Sequence, residues 1–187
     1  MIDNLPKSQK GIHLLKDGIM ITQLISFDEI KNIATKAAEF IQLNTYEEEI
    51  PILLVTLKGS VRFACEVMNR LRTPYSLEFI QCKSYEGTES TGRVFVNPLF
   101  DPINLRNRQV FIIEDIVGTG RTIESLLKLF IREDIKVVTM LDKPSHRVIP
   151  VKINFVGKEI PDLFVIGFGL DYNGRYRDLN YIGVLTP

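Results

Sequence analysis

The chain is short of cysteine, of excess charge and of long apolar runs, and each shortage excludes a class of protein. Its two cysteines are Cys65 and Cys82, too few and too isolated for a metal box. They read as free thiols in a reducing compartment, with Cys65 buried in an amphipathic segment. Lys and Arg number 23, as do Asp and Glu, so the totals supply no basic surface for general nucleic-acid binding. No terminal apolar segment and no long uncharged stretch is present, which leads us to expect a soluble, cytoplasmic protein. No internal repeat or low-complexity linker is visible. A length of 187 residues suits a single packed domain.

What is present is an alternation of two periods. Ser26-Phe27-Asp28-Glu29 has a capping-box pattern, and Phe27, Ile30, Ile33, Ala34, Ala37, Phe40 and Ile41 follow at helical spacing. Pro51–Leu57 reads as a buried strand ended by Gly59, with a helix to about residue 71, and 75–81 reads as a strand. The polar, Gly-punctuated stretch 83–93 reads as a mobile loop. Ile123, Leu126, Leu127, Phe130 and Ile131 mark a helix face, and strands at 136–141 and 163–169 follow it. Strands alternating with helices imply an α/β fold with a mostly parallel sheet and right-handed crossovers. The ends break the alternation. We expect one domain over 1–187, with a core at about 26–150 and a small hood from about 1–25 and 150–187.

The stretch that carries chemistry is Val110–Thr122. An apolar, Val/Ile-rich run, typical of a buried parallel strand, meets an exposed acid pair, Glu114 and Asp115. Val117-Gly118-Thr119-Gly120-Arg121-Thr122 then opens a helix. Ligands of open α/β sheets bind at the carboxyl ends of the strands. A small-residue loop at a helix N-terminus offers free N–H groups and a positive dipole end to an anion. Acids beside an anion cradle suit a ribose phosphate, with the carboxylates on the sugar hydroxyls.

This motif resembles the phosphoribosyl-pyrophosphate (PRPP) loop of type I phosphoribosyltransferases, and the likeness extends to other segments in family order. Leu57-Lys58-Gly59 resembles the pyrophosphate loop of the hypoxanthine-guanine phosphoribosyltransferases, where the peptide before the Lys can be cis. Ser84-Tyr85 resembles the family's flexible lid. Lys143, in Leu141-Asp142-Lys143-Pro144, matches the Lys that selects a six-oxo purine over adenine. In Phe164–Asn173, the resemblance implies that Phe164 stacks on the purine and the Val165 backbone meets its edge. It also implies that Asp171 holds magnesium, and that Arg177 grips pyrophosphate beside Lys58 and Gly59. The implied reaction is transfer of 5-phosphoribosyl from PRPP to hypoxanthine or guanine, giving IMP or GMP and pyrophosphate. A homodimer or homotetramer is implied as well, with no nucleic-acid or membrane partner.

One part departs from the family. Gly118 stands where an acid/base Asp is usual. Water, another carboxylate such as Asp115, or binding without fast turnover would each account for it, and Gly118→Asp is expected to raise turnover. Two other functions stay open: a PRPP- or nucleotide-sensing regulator, and transfer to xanthine or another oxopurine.

Overall fold

A computed structural model of the protein describes residues 12–14, 20–84, 94–101, 105, 107–130 and 134–186. In chain order the elements are β1 (Ile12–Leu14), β2 (Met20–Ile25), α1 (Phe27–Asn44), β3 (Ile52–Leu57), α2 (Val61–Met68), β4 (Ser76–Ser84) and β5 (Val94–Pro98). Then follow β6 (Val110–Val117), α3 (Arg121–Leu129), β7 (Ile135–Asp142), β8 (Phe155–Glu159), β9 (Val165–Ile166) and β10 (Ile182–Thr186).

β3 and β6 are apolar on both faces, and so they take the centre of a six-stranded sheet ordered β5-β4-β3-β6-β7-β8. All of its pairings are parallel except β4 with β5. Alternation along the strands divides the core. Leu53, Val55, Phe111 and Ile113 pack with the buried face of α1 and with Phe63, Ala64 and Val67 of α2. Ile52, Leu54, Val110 and Ile112 pack instead with Ile123 and Leu126 of α3 and with Phe130. The capping box at Ser26 forms as the sequence predicts: Glu29 N donates to the Ser26 hydroxyl, and Ser26 N donates to the Glu29 carboxylate.

The two ends of the chain meet in a second sheet, ordered β1-β2-β10-β9 and antiparallel throughout. It stands beside the carboxyl edge of the main sheet, and Leu185 N donates to Phe164 O across it.

Several expectations need correction. Cys65 is exposed, because the buried face of α2 is formed by Phe63, Ala64 and Val67. Helix α2 ends at Met68, short of residue 71, and closes with Asn69 N donating to Cys65 O. β4 continues to Ser84, into the stretch read as loop, because its last residues pair with β5. The strand read over 163–169 is only Val165–Ile166, since Gly167, Phe168 and Gly169 turn away at φ +94, +48 and +103. The acid pair is not exposed either. β6 runs on through Val117, and Glu114 and Asp115 are each 8% exposed.

Candidate active site

Four strand ends converge on the site. At the end of β3 the Leu57–Lys58 peptide is cis, as the resemblance allows, and Lys58 is exposed at the turn. Gly59 is required there by close approach, since a Cβ would overlap the Asp115 carboxylate. Ser60 opens α2 fully buried and ties the turn to β6. Its hydroxyl accepts from Asp115 N at 2.9 Å, lies 3.5 Å from Glu114 Oε1 and is 2.5 Å from Thr56 Oγ1.

Two adjacent buried carboxyls cannot both hold charge cheaply. Burial, and then the charge of Asp115, pushes Glu114 well above the usual carboxylate range. Burial also raises Asp115, against the pull of the hydrogen bond from Ile116 N. Glu114 Oε2 is buried without a hydrogen-bond partner. An orphaned acceptor at a cavity wall is a position that a ligand hydroxyl or a metal-bound water would satisfy. Neighbouring Cys82 is pushed up to about 12 by burial and by Glu114, which makes it an inert thiol.

The loop after β6 delivers its backbone to the N-terminus of α3. Gly120 caps that helix at φ +86, a left-handed conformation that a side chain resists, and a Cβ there would also overlap Ile149 O. The Thr119 carbonyl accepts from Val148 N and Ile149 N, and Arg121 N is 3.4 Å from Thr119 Oγ1. Together Val117, Gly118, Thr119, Gly120 and Thr122 line a narrow pocket of about 30 Å³.

That pocket adjoins two larger ones. A cavity of about 360 Å³ is bordered by Lys58, Gly59, Glu114, Asp115, Asp171 and Arg177. A second, of about 420 Å³, lies between Gly118, Lys143, His146, Asp162 and Phe164. Lys143 and Phe164 border both. Phe164 is 54% exposed, unlike a core residue, and its ring meets Tyr172 edge-on at 5.7 Å. The Lys143 amine is held below the usual lysine range by burial, with Asp162 opposing at 3.7 Å. Arg177 is fixed by Asp171 at 2.6 Å and by the Gly169 carbonyl, while Asp171 Oδ2 accepts from Gly174 N at 2.7 Å.

The sequence-predicted residues Lys58, Gly59, Glu114, Asp115, Lys143, Phe164, Val165, Asp171 and Arg177 are thus brought to one cavity wall. Ser84 ends β4, and Tyr85 lies outside the described residues. Thr56, Ser60, His146 and Asp162 were not anticipated. Thr56 and Ser60 reach β6 across 57 and 54 residues and Asp162 reaches His146 across 16, although His146 stands three residues after Lys143 in a chain with two histidines.

Comparison with known proteins agrees with this geometry. Residues 23–173 match the family described as phosphoribosyl transferase domain. The chain is 40% identical over 169 residues to the hypoxanthine-guanine phosphoribosyltransferase of Bacillus subtilis strain 168, covering 88% of this chain and 92% of that one. A crystal structure of a hypoxanthine phosphoribosyltransferase from Staphylococcus aureus aligns with a TM-score of 0.80 and 37% identity, over 88% of this chain and 91% of that one. A hypoxanthine-guanine phosphoribosyltransferase from Bacillus anthracis aligns with a TM-score of 0.81 and 30% identity, over 90% and 99%. With its parallel core sheet, its acid pair and its loop at the helix N-terminus, this chain belongs to the phosphoribosyl transferase family.

Proposed function

We infer that the protein is a purine-salvage hypoxanthine-guanine phosphoribosyltransferase, transferring 5-phosphoribosyl from PRPP to hypoxanthine or guanine with release of pyrophosphate. The observation that carries this reading is the adjacency of an exposed aromatic and a half-buried lysine, Phe164 and Lys143, to the buried acid pair and the loop at α3.

In this reading the backbone of Val117–Thr122 clamps the 5′-phosphate at the helix N-terminus and fixes the sugar. Glu114 and Asp115 accept from the ribose hydroxyls and favour the cationic sugar of an oxocarbenium-like transition state. Lys58 and Arg177 take up charge as the C1′–oxygen bond breaks and the electron pair leaves on pyrophosphate. Phe164 covers one face of the purine, the Val165 backbone meets its edge, and Lys143 donates to the six-oxo group. Ser84, the last residue of β4, stands at the edge of the stretch that the resemblance assigns to a water-excluding lid. Asp171 is an oxygen donor on the cavity wall, oriented by Arg177 and Gly174 N, and it fits magnesium, a cation that prefers oxygen ligands and substrate phosphates. When bound there, magnesium would neutralise pyrophosphate oxygens. Among the described residues no helix is long and apolar enough to cross a membrane. A cytoplasmic location and a homodimeric or homotetrameric assembly complete the reading.

The test is pyrophosphate release by the purified protein with PRPP and magnesium, comparing hypoxanthine, guanine, xanthine and adenine. Turnover with hypoxanthine or guanine and none with adenine is expected. Binding of PRPP without turnover on any base would replace the enzyme by a sensor.

A further inference from the structure

Joining a ribosyl carbon to an oxopurine leaves one proton to be disposed of. The imidazole part of the neutral base carries one N–H and one bare nitrogen. The bare nitrogen supplies the electron pair for the new C1′–N bond, and the C1′–oxygen pair departs with pyrophosphate. The remaining N–H must then give up its proton, its bonding pair returning to the ring. A basic side chain in the base cavity, or water there, receives that proton.

The walls of that cavity limit the choice. Ile116, Gly118, Thr119 and Phe164 offer no basic side chain, and Lys143, paired with Asp162 at 3.7 Å, is assigned above to the six-oxo group of the base. Asp162 and His146 remain. Asp162 Oδ2 lies 2.8 Å from His146 Nδ1. The Asp162 carboxyl sits below its ordinary range, first through that hydrogen bond, so it is a weak base already engaged. A carboxylate acceptor places the ring proton on Nδ1 and leaves the lone pair on Nε2.

The ring also lies beside the empty position in the phosphate loop. A Cβ on Gly118 would stand 3.3 Å from His146 Cδ2, the carbon bonded to Nε2. The imidazole edge therefore adjoins the space that a side chain at Gly118 would enter. The other charged groups around the ring are Lys143, 3.7 Å from Asp162 Oδ1, and Arg147, whose guanidinium is committed to Asp142. The facing loop contributes only Gly118 and Thr119.

We propose that His146, oriented by Asp162, is the general base that takes the imidazole proton of the purine, in a site whose loop carries glycine at position 118. The inference rests on the transferase reading above. In the step, Nε2 gains the purine proton and the resulting imidazolium faces the Asp162 carboxylate. The side chain belongs to a 3-10 turn at Pro144–His146 and is exposed, so its removal leaves the core untouched.

The experiment is single-turnover formation of IMP from PRPP, magnesium and hypoxanthine, measured across pH for the wild type, His146→Ala, Asp162→Asn and His146→Ala/Gly118→Asp. PRPP affinity is measured on each by titration. The expected result is a loss of about a hundredfold or more in His146→Ala, with PRPP affinity within about twofold and a changed low-pH limb of the rate profile. Asp162→Asn is expected to lose less, as a positioning residue. The aspartate introduced at 118, once the ring that crowds it is gone, is expected to restore at least tenfold of the loss. A His146→Ala rate within about threefold of wild type with an unchanged pH profile would overturn the proposal and leave the transferase reading standing. So would a large loss that the carboxylate fails to restore. A wild type that forms no nucleotide would overturn both.

Discussion

At the scale of single residues the site is a set of polar groups held where water would ordinarily be needed. Glu114 is the extreme case: buried, beside another carboxyl, with one oxygen unpartnered. A carboxyl whose folded pKa is raised contributes stability below its unfolded pKa, and that contribution is lost as pH rises through the folded value. The ligand-free protein is therefore expected to weaken as pH climbs from the ordinary glutamate range toward neutrality. Glu114→Gln should flatten that slope, raising stability near pH 7 by about 1–3 kcal/mol while impairing transfer. Urea unfolding at a series of pH values checks it, and an unchanged slope would contradict it. The acid pair, Lys58, Lys143, Phe164, Asp171 and Arg177 were legible in the sequence because each lies in a short contiguous motif. Ser60 and the His146–Asp162 pair were not, since a hydroxyl 54 residues from Glu114 or a carboxylate 16 residues from a histidine leaves no local pattern.

Elements were legible where one principle dominated. The capping box and the apolar stripe mark α1, and the double-sided apolar runs mark β3 and β6. β5, β8 and β10 escaped because their half-buried or glycine-containing segments show no clean alternation. β2 escaped for a different reason, as it is held by pairing with β10 at the far end of the chain, and β1 is held in turn by pairing with β2. The α3 N-terminus gives an element-scale test. Gly120 holds the left-handed cap that turns the loop into the helix, so Gly120→Ala is expected to cost about 1–3 kcal/mol and to weaken PRPP binding more than purine binding. Thermal unfolding and separate titrations of the two ligands measure these effects. A variant equal to wild type in both would show that the cap geometry is dispensable.

Across the whole molecule, core and hood share one buried cluster, in which Val165, Phe168, Ile182 and Val184 pack with Leu53, Phe63 and Phe111, and a guanidinium adds to it. Arg62 of α2 donates to the carbonyls of Arg177 and Leu179 and lies over the Phe168 ring at 4.6 Å. Ligand bound in the cavity touches both sheets' elements at once, so it should stabilise them as a unit. At a hundredfold excess over its Kd, IMP should add about 2.7 kcal/mol, a rise of roughly 5–10 °C in Tm for a protein of this size. The transition should remain single. Separate transitions for the two sheets in calorimetry would show that they unfold independently.

The second sheet has a consequence for the order in which the site comes into being. The acid pair and the phosphate loop lie in the middle of the chain, whereas Phe164, Asp171, Arg177 and the strand that steadies them, β10, come last. On a translating ribosome the parallel sheet would emerge while the aromatic platform was still unmade. Function would begin only after β10 had left the exit tunnel and closed on β2. Loss of the segment from Phe164 to Thr186 would remove Phe164, Asp171, Arg177 and β10 together, and with them one half of the site.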